Sequence, residues 1–353
     1  MLHFRERCRS SDGFALPLGL TLFVLLWVGC TQDRGSSDPG AEGVLTFDET
    51  MLTDEAGVPM DSGPLGADAP LDAGTPPPDA AIGVEAGPPD AGAAPPPPRL
   101  LFDLLPRSAA YETQTAQVSG SGLRSRAQLW ASDGTIVTSL VTNSAGYTLL
   151  GMKPVGGTER YEALMAQTTG SGLSSLVRAW ATDGFVVTTM VTNTAGYTLL
   201  GFRKVGSTDA FEGRMTQTTG SGLRPIAESW ARDGFVITAA VSNSAGYTVV
   251  GNRWTGRTAP YAARMTQVSG SSLRSTAQSW ASAGFVITAM VTNSAGYTLL
   301  GFQDEPSRTF TGQMAQTTGS GLASALGGLG RSGHVATAMV TNTAGYTMVG
   351  FHE

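Results

Sequence analysis

The sequence predicts a β-rich repeat protein with one short helix per unit. Five units of about 50 residues are expected to close a propeller-like ring rather than run on as an open solenoid. Three observations carry this. Ala-Gly-Tyr-Thr recurs at Tyr147, Tyr197, Tyr247 and Tyr297, 50 residues apart, and again at Tyr346, one residue short. Trp130, Trp180, Trp230 and Trp280 keep the same period, with Leu329 in the fifth place, and Gln-x-x-Gly-Ser begins at Gln117, Gln167, Gln217, Gln267 and Gln316. The region also opens with a lone strand over 111–117 and finishes with a hairpin over 334–351 that lacks a third strand. Pairing these two ends would close the ring and remove exposed edges, whereas an open stack calls for polar caps.

The third copy shows how each element follows from its residues. Phe211-Glu-Gly-Arg-Met-Thr-Gln217 alternates as a strand does, with Phe211, Gly213, Met215 and Gln217 on one face. That face is expected to bury the Gln amide at least in part and bond it to backbone of the Gly220-Ser221-Gly222 break. Leu223, Ala227 and Trp230 then follow at i, i+4 and i+7, the stripe of an amphipathic helix. Ser or Gly before it can cap the start, and Pro225 suits a first turn. Gly234 closes the helix, as Gly134, Gly184, Gly284 and Gly333 do in the other copies. Phe235-Val-Ile-Thr-Ala-Ala-Val241 is apolar on both faces, so it reads as an inner strand. Asn243-Ser-Ala-Gly246 is hairpin chemistry, and Tyr247-Thr-Val-Val250 is the returning strand. The last two strands of a unit and the first strand of the next are expected to form a three-stranded meander.

Composition narrows the function. Only 14% of the 353 residues are charged, the net charge is -6, and there are two Cys. Two Cys cannot build a disulfide framework or a Cys-rich zinc site. An acidic balance argues against a nucleic-acid partner. A mean hydropathy near zero argues against a multi-span membrane protein. The charge is unevenly spread. Residues 31–100 hold 13 acids against Arg34 and Arg99, and 13 of the 19 Pro, which leaves the repeats mildly basic. Such a tract cannot bury enough apolar surface to offset chain entropy. It reads as a spacer reaching about 45 Å as a coil and about 200 Å as polyproline II.

Arg5, Arg7 and Arg9 precede an apolar run from Phe14 to Val28 that ends in Trp27-Val28-Gly29-Cys30. A basic start, a short apolar core and a small residue before a cut site describe a secretory signal. Val-Gly before Cys30 resembles the lipobox of bacterial lipoproteins. The resemblance implies cleavage after residue 29, a diacylated Cys30 thiol and an acylated new amine, a set of chains sufficient for stable anchoring. The expected organisation is a signal peptide over 1–29, a lipidated Cys30 with a disordered tether to 106, and five repeats over 107–353. The expected location is the bacterial cell envelope, as an outer-membrane or surface-exposed lipoprotein, or else secreted or periplasmic.

The run from the helix through Gly-Phe to Gly-Tyr-Thr-Leu-Leu and then Tyr-Ala-Ala-Arg-Met resembles the bacterial tandem-repeat modules of about 50 residues. In that family the modules accompany β-lactamase-like serine hydrolases, polyglycine hydrolases among them, or stand alone in secreted proteins. The hydrolase chemistry does not carry over. Ser-x-x-Lys is required, and the only lysines, Lys153 and Lys204, follow Leu150 and Gly201 at that spacing.

Other motifs read as structure. Gly328-x-Gly330-x-x-Gly333 overlays the fifth helix and its end instead of following a strand. His334 stands where other copies have Phe185, Phe235 and Phe285, a packing position first and a general base second. Glu112, Glu162 and Glu212 recur at one strand position but give way to Ala262 and Thr311, as an exposed face allows. Asn143, Asn193, Asn243, Asn293 and Asn342 open the five hairpins, each after Thr or Ser, and form the candidate binding rim. Such a rim suits a cell-surface glycan, peptide or protein bound multivalently. No cofactor or metal site is expected. The reading is a non-catalytic, membrane-anchored lipoprotein that binds or scaffolds. A structural or adhesive spacer is the alternative, with a divergent hydrolase using His334 behind it.

Overall fold

The computed structural model describes Leu105, residues 108–256 and residues 259–353. The leader, Cys30 and the spacer lie outside the described residues. Unit one comprises β1 (Tyr111–Val118), α1 (Gly120–Ser132), β2 (Ile136–Asn143) and β3 (Gly146–Pro154). Unit two comprises β4 (Tyr161–Thr168), α2 (Gly170–Thr182), β5 (Val186–Asn193) and β6 (Gly196–Lys204). Unit three comprises β7 (Phe211–Thr218), α3 (Gly220–Arg232), β8 (Val236–Asn243) and β9 (Gly246–Trp254). Unit four comprises β10 (Ala262–Val268), α4 (Gly270–Ser282), β11 (Val286–Asn293) and β12 (Gly296–Gln303). Unit five comprises β13 (Thr311–Thr317), a 3-10 turn at Gly319–Gly321, α5 (Leu322–Arg331), β14 (Val335–Asn342) and β15 (Gly345–His352).

The strand pairing differs from the expected meander. Each sheet is completed within its own unit, in the order β1-β3-β2 and its four equivalents, all neighbours antiparallel. The reason is length. A 13-residue helix is about 20 Å long, which matches about six strand residues. The helix therefore carries the chain back to where β1 began, so β2 runs parallel to β1 with one strand position open between them. The two-residue hairpin turn drops β3 into that position, where it pairs from Tyr111↔Pro154 to Val118↔Tyr147. No strand is left over at either end, so β1 and β15 do not pair with each other.

The hairpin glycines are obligatory. Gly146, Gly196, Gly246, Gly296 and Gly345 have φ of 114–121°. A Cβ on Gly146 would lie 2.4 Å from the Val118 carbonyl oxygen. A second set of glycines accepts the tryptophans. A Cβ on Gly151, Gly201, Gly251 or Gly301 would lie 2.7–2.9 Å from the ring of Trp130, Trp180, Trp230 or Trp280. In unit five the smaller Leu329 relaxes that contact to 3.5 Å at Gly350.

Each helix has two occupied sides. One faces its own sheet, and the other lies on the first strand of the next unit: α1 on β4, α2 on β7, α3 on β10 and α4 on β13. Helix α5 lies on β1. The inner strands β2, β5, β8, β11 and β14 touch in that order, and β14 also touches β2. Leu326, Leu329 and Met339 of unit five share one buried cluster with Leu123, Trp130 and Leu140 of unit one.

One core position is out of keeping with its sisters. Met152, Phe202, Phe302 and Phe351 are fully buried, and the equivalent residue in unit three is Asn252. Its Nδ2 donates to Thr238 Oγ1 at 2.8 Å, but its buried Oδ1 has no partner. A buried unsatisfied carbonyl costs about 1–3 kcal/mol, and sister units show that Phe fits beside a Gly, as Phe351 does against Gly312. Asn252→Phe is therefore expected to stabilise the protein by about 1–2 kcal/mol, seen as a higher urea midpoint and a higher Tm.

Candidate functional site

The hairpin turns, the carboxyl ends of the first strands and the helix starts of each unit meet at one rim. The five Asn of the candidate rim sit there, exposed or half-exposed. Each Asn Oδ1 accepts the backbone N–H two residues on, as in Asn193 with Ala195 at 2.9 Å. Each Nδ2 donates to the Tyr Oη of the preceding unit: Asn193 to Tyr147, Asn243 to Tyr197, Asn293 to Tyr247 and Asn342 to Tyr297, at 2.6–3.1 Å. Asn143 donates to Tyr346 at 2.8 Å. Each Tyr Oη also meets a Thr of the following unit, from Tyr147 with Thr198 at 3.2 Å to Tyr346 with Thr148 at 3.1 Å. Both ends of the Asn amide are thus engaged by the protein.

The glutamines are placed differently from expectation. All five are exposed. Gln117, Gln167 and Gln267 donate to the Asn Oδ1 of their own unit at 3.0–3.2 Å, rather than to the Gly-Ser-Gly backbone. The period-two face was read correctly, but its last residue runs out past the covering helix to the rim.

The helix starts also differ. Gly220-Ser221-Gly222 is the first turn of α3 rather than a break, and Pro225 falls in the second turn. None of the five N-cap residues makes a side-chain cap. Their hydroxyls instead pair with a Ser two residues on: Ser119 with Ser121, Thr169 with Ser171, Thr219 with Ser221, Ser269 with Ser271 and Thr318 with Ser320, at 2.9–3.2 Å. These exposed hydroxyl pairs can each donate to and accept from a ligand. The serines are the rim groups that the sequence reading passed over. Their signal was the Ser of every Gly-Ser step.

At the opposite end of the units lies a second recurring polar position. Arg203 rides 4.6 Å over Phe185, pairs with Glu162 and donates to the Asp183 carbonyl at 2.7 Å. Arg253 repeats this over Phe235, with Glu212 and the Asp233 carbonyl. Glu162 and Glu212 are therefore ion-paired on an exposed face. In unit five the same places hold His352, His334, Thr311 and Ser332. His334 is 4% exposed. Its Nδ1 lies 2.9 Å from Ser332 Oγ and 3.1 Å from the Ser332 carbonyl, and its Nε2 lies 3.2 Å from Thr311 Oγ1. Ser332 Oγ also reaches the Gly328 and Leu329 carbonyls. Neither ring nitrogen of His334 meets a carboxylate, so a Ser-His-acid array is not assembled on this residue. Burial holds the His334 pKa below the usual histidine value, with the Ser332 carbonyl opposing and His352 adding to the depression.

The glycine motif at Gly328, Gly330 and Gly333 lies in α5 and at its end, as its residues suggested. Among the described residues no three His, Cys, Asp or Glu side chains gather as metal ligands. No described helix is long and apolar enough to cross a membrane.

The tyrosine relay makes a direct prediction. Tyr197→Phe removes the acceptor of Asn243 and the partner of Thr248, which is 1% exposed. The expected loss is about 1–2 kcal/mol, read as a drop in Tm of several degrees, whereas Gln167→Ala at the exposed rim should cost about 0.5 kcal/mol or less.

No family model, curated protein or solved structure matches this chain.

Proposed function

We propose that the chain is a membrane-anchored, non-catalytic repeat lipoprotein of the bacterial cell envelope. On this reading its five units close a propeller-like ring, and the rim presents a repeated polar surface to a glycan, peptide or protein. The observation that carries the binding part is the fivefold recurrence of an exposed hydroxyl pair beside a braced Asn-Tyr-Thr relay. Rigidly held, identical subsites favour a ligand that itself repeats, because each further contact is made at high effective concentration. The anchor part is supported by the basic start, apolar run and Cys30 of the leader.

Ring closure is supported by contacts at the junction of the first and last units. Helix α5 lies on β1 and β14 on β2, as the other junctions repeat. Tyr346 completes the relay with Thr148 and Asn143. The side chains are also matched across this junction. Unit one carries Thr113 where the other units have Ala or Gly, and α5 answers with Gly330 where the other helices have Ala. A Cβ on Gly330 would lie 2.5 Å from both Thr113 Cγ2 and the Tyr111 carbonyl oxygen.

Two measurements test the proposal. Mass spectrometry of the mature protein from the membrane fraction is expected to find an acylated Cys30 at the amino terminus. An unmodified amino terminus there, or cleavage elsewhere, refutes the anchor. Direct binding to arrays of glycans and cell-wall fragments is expected to yield a ligand whose affinity falls at least tenfold in the Ser121→Ala, Ser171→Ala, Ser221→Ala triple variant. Empty arrays together with no partner in pull-downs refute the binding role and leave a structural spacer.

A further inference from the structure

The two described histidines both lie in unit five, at the junction with unit one. They replace a Phe and a long polar side chain. In units two to four that side chain crosses to a helix-terminal carbonyl: Arg203 to Asp183, Arg253 to Asp233 and Gln303 to Ala283, at 2.7–2.9 Å. His352 is too short for this. It lies instead against His334, with ring centroids 5.5 Å apart. The pair also borders the stretch entering β1. A Cβ on Gly333 would meet the Ala109 carbonyl oxygen at 2.9 Å and His352 Nε2 at 3.0 Å. A cleft of about 240 Å³ opens there, between Ser108, Ala109 and Tyr111 on one side and Gly333 and His352 on the other.

The polar bonding at this junction also differs from that of the other four, with Met339 N–H donating to Ser139 Oγ and Ala336 N–H facing Met152 Sδ, both at 3.0 Å. Thr188, Thr238, Thr288 and Thr337 each donate to an inner-strand carbonyl of the preceding unit. The equivalent hydroxyl in unit one, Thr138 Oγ1, is buried without a partner. Covalent loops link the other junctions, and none links β15 to β1.

We infer that the junction between unit five and unit one is an acid-sensitive latch. Protonation of His334, buried against His352, loosens α5 and β14 from β1 and β2 while the other junctions hold. The inference rests on the closed-ring reading. A proton on His334 would place a cation in a buried site against the His352 ring. The nearby carboxylates are Glu353, which lines the cleft and pairs with Arg308, and Asp304 and Glu305, which also act on Arg308. From β13 and its approach come Thr311, Phe310 and Arg308, the last paired with Glu353 beside His352. From α5 comes Arg331, a further cation. The approach to β1 offers Ser108, Ala109 and Tyr111, none of them charged near neutral pH. The carbonyl end of α5 and the Glu353 carboxylate both favour a cation here, and burial outweighs them at His334. The sign follows from linkage. A histidine held below its ordinary pKa binds its proton more readily once exposed, so proton uptake favours the open junction. The closed junction keeps its full stability above the ordinary histidine pKa of about 6.5. It loses that stability as pH falls from there through the lowered pKa of His334.

The test is hydrogen exchange with mass spectrometry on the full-length protein at pH 7.5 and pH 5.0, corrected for intrinsic exchange. Protection in β1, β2, α5 and β14 is expected to fall at least tenfold in acid relative to β5 through β12. The paired variant His334→Phe with His352→Arg, which installs the residues of unit two, is expected to abolish the difference. His352→Gln, the residue of unit four, should reduce it. Equal protection at both pH values, a loss spread over all units, or an unchanged loss in the paired variant overturns the latch. An open ring gives a separate result, with β1 and β14 unprotected already at pH 7.5 in every variant, and that overturns both readings.

Discussion

No unit of this chain can bury its own hydrophobic surface. The inner strands are apolar on both faces, and β2 shows six consecutive buried residues. Every helix has a stripe for its own sheet and a second side that needs another sheet. A unit alone would leave one face of its inner strand and one side of its helix in water. The neighbour is therefore part of each unit's core, which is the constraint that defines repeat architectures. Its consequence reaches the ends. A simple row of five would leave apolar surface on β1 and on α5, and here α5 lies on β1.

The same dependence governs the polar groups. Burying Tyr and Thr hydroxyls between units is tolerable only where each finds a partner. The relay solves this by passing bonds forward, from Asn to the preceding Tyr and from Tyr to the following Thr. Because every bond crosses a junction, the relay is intact only if the units keep their register. The rim hydroxyls are thus held at fixed spacing by bonds lying just beneath them. Rigid spacing matters more than the chemistry of one subsite when a ligand is read at several points.

Much of this was legible in the sequence because the repeat prints each structural requirement five times. Gly246 and Gly234 announce a hairpin and a helix end by their recurrence, and both have positive φ. Leu223, Ala227 and Trp230 mark the buried helix face, and all three are buried. Strand partnership was not legible. An alternating strand such as Tyr161–Thr168 looks the same whether it pairs with β3 before it or β6 after it, and only the length of the intervening helix decides. The fate of Gln217 was hidden for a related reason, since alternation assigns a face but not how far along the strand the cover extends. The unit-five site escaped because His334 was weighed alone. Set beside His352, Ser332 and Thr311, it is one of four coordinated changes at a position that units two and three fill with Phe, Arg, Asp and Glu.

That coordination separates the two ends of the molecule. At the rim the units are nearly interchangeable, with Asn, Tyr, Thr and a hydroxyl pair in all five. At the opposite end they diverge. Units one to three carry two acids and a base, unit four carries Ala262, Ala283 and Gln303, and unit five carries two histidines and two hydroxyls. Drift at a solvated surface would change such residues singly. In unit four both acids and the base are lost together, while Arg264 stays over the Phe285 ring at 4.0 Å. In unit five the replacement extends to the aromatic beneath, His334, which is buried and constrained by packing. A buried exchange of Phe for His costs apolar contact and demands hydrogen-bond partners, and Ser332 and Thr311 supply them. The rim is thus uniform through all five units, while at the other end the substitution in unit five reaches a buried position, where His334 is held by Ser332 and Thr311.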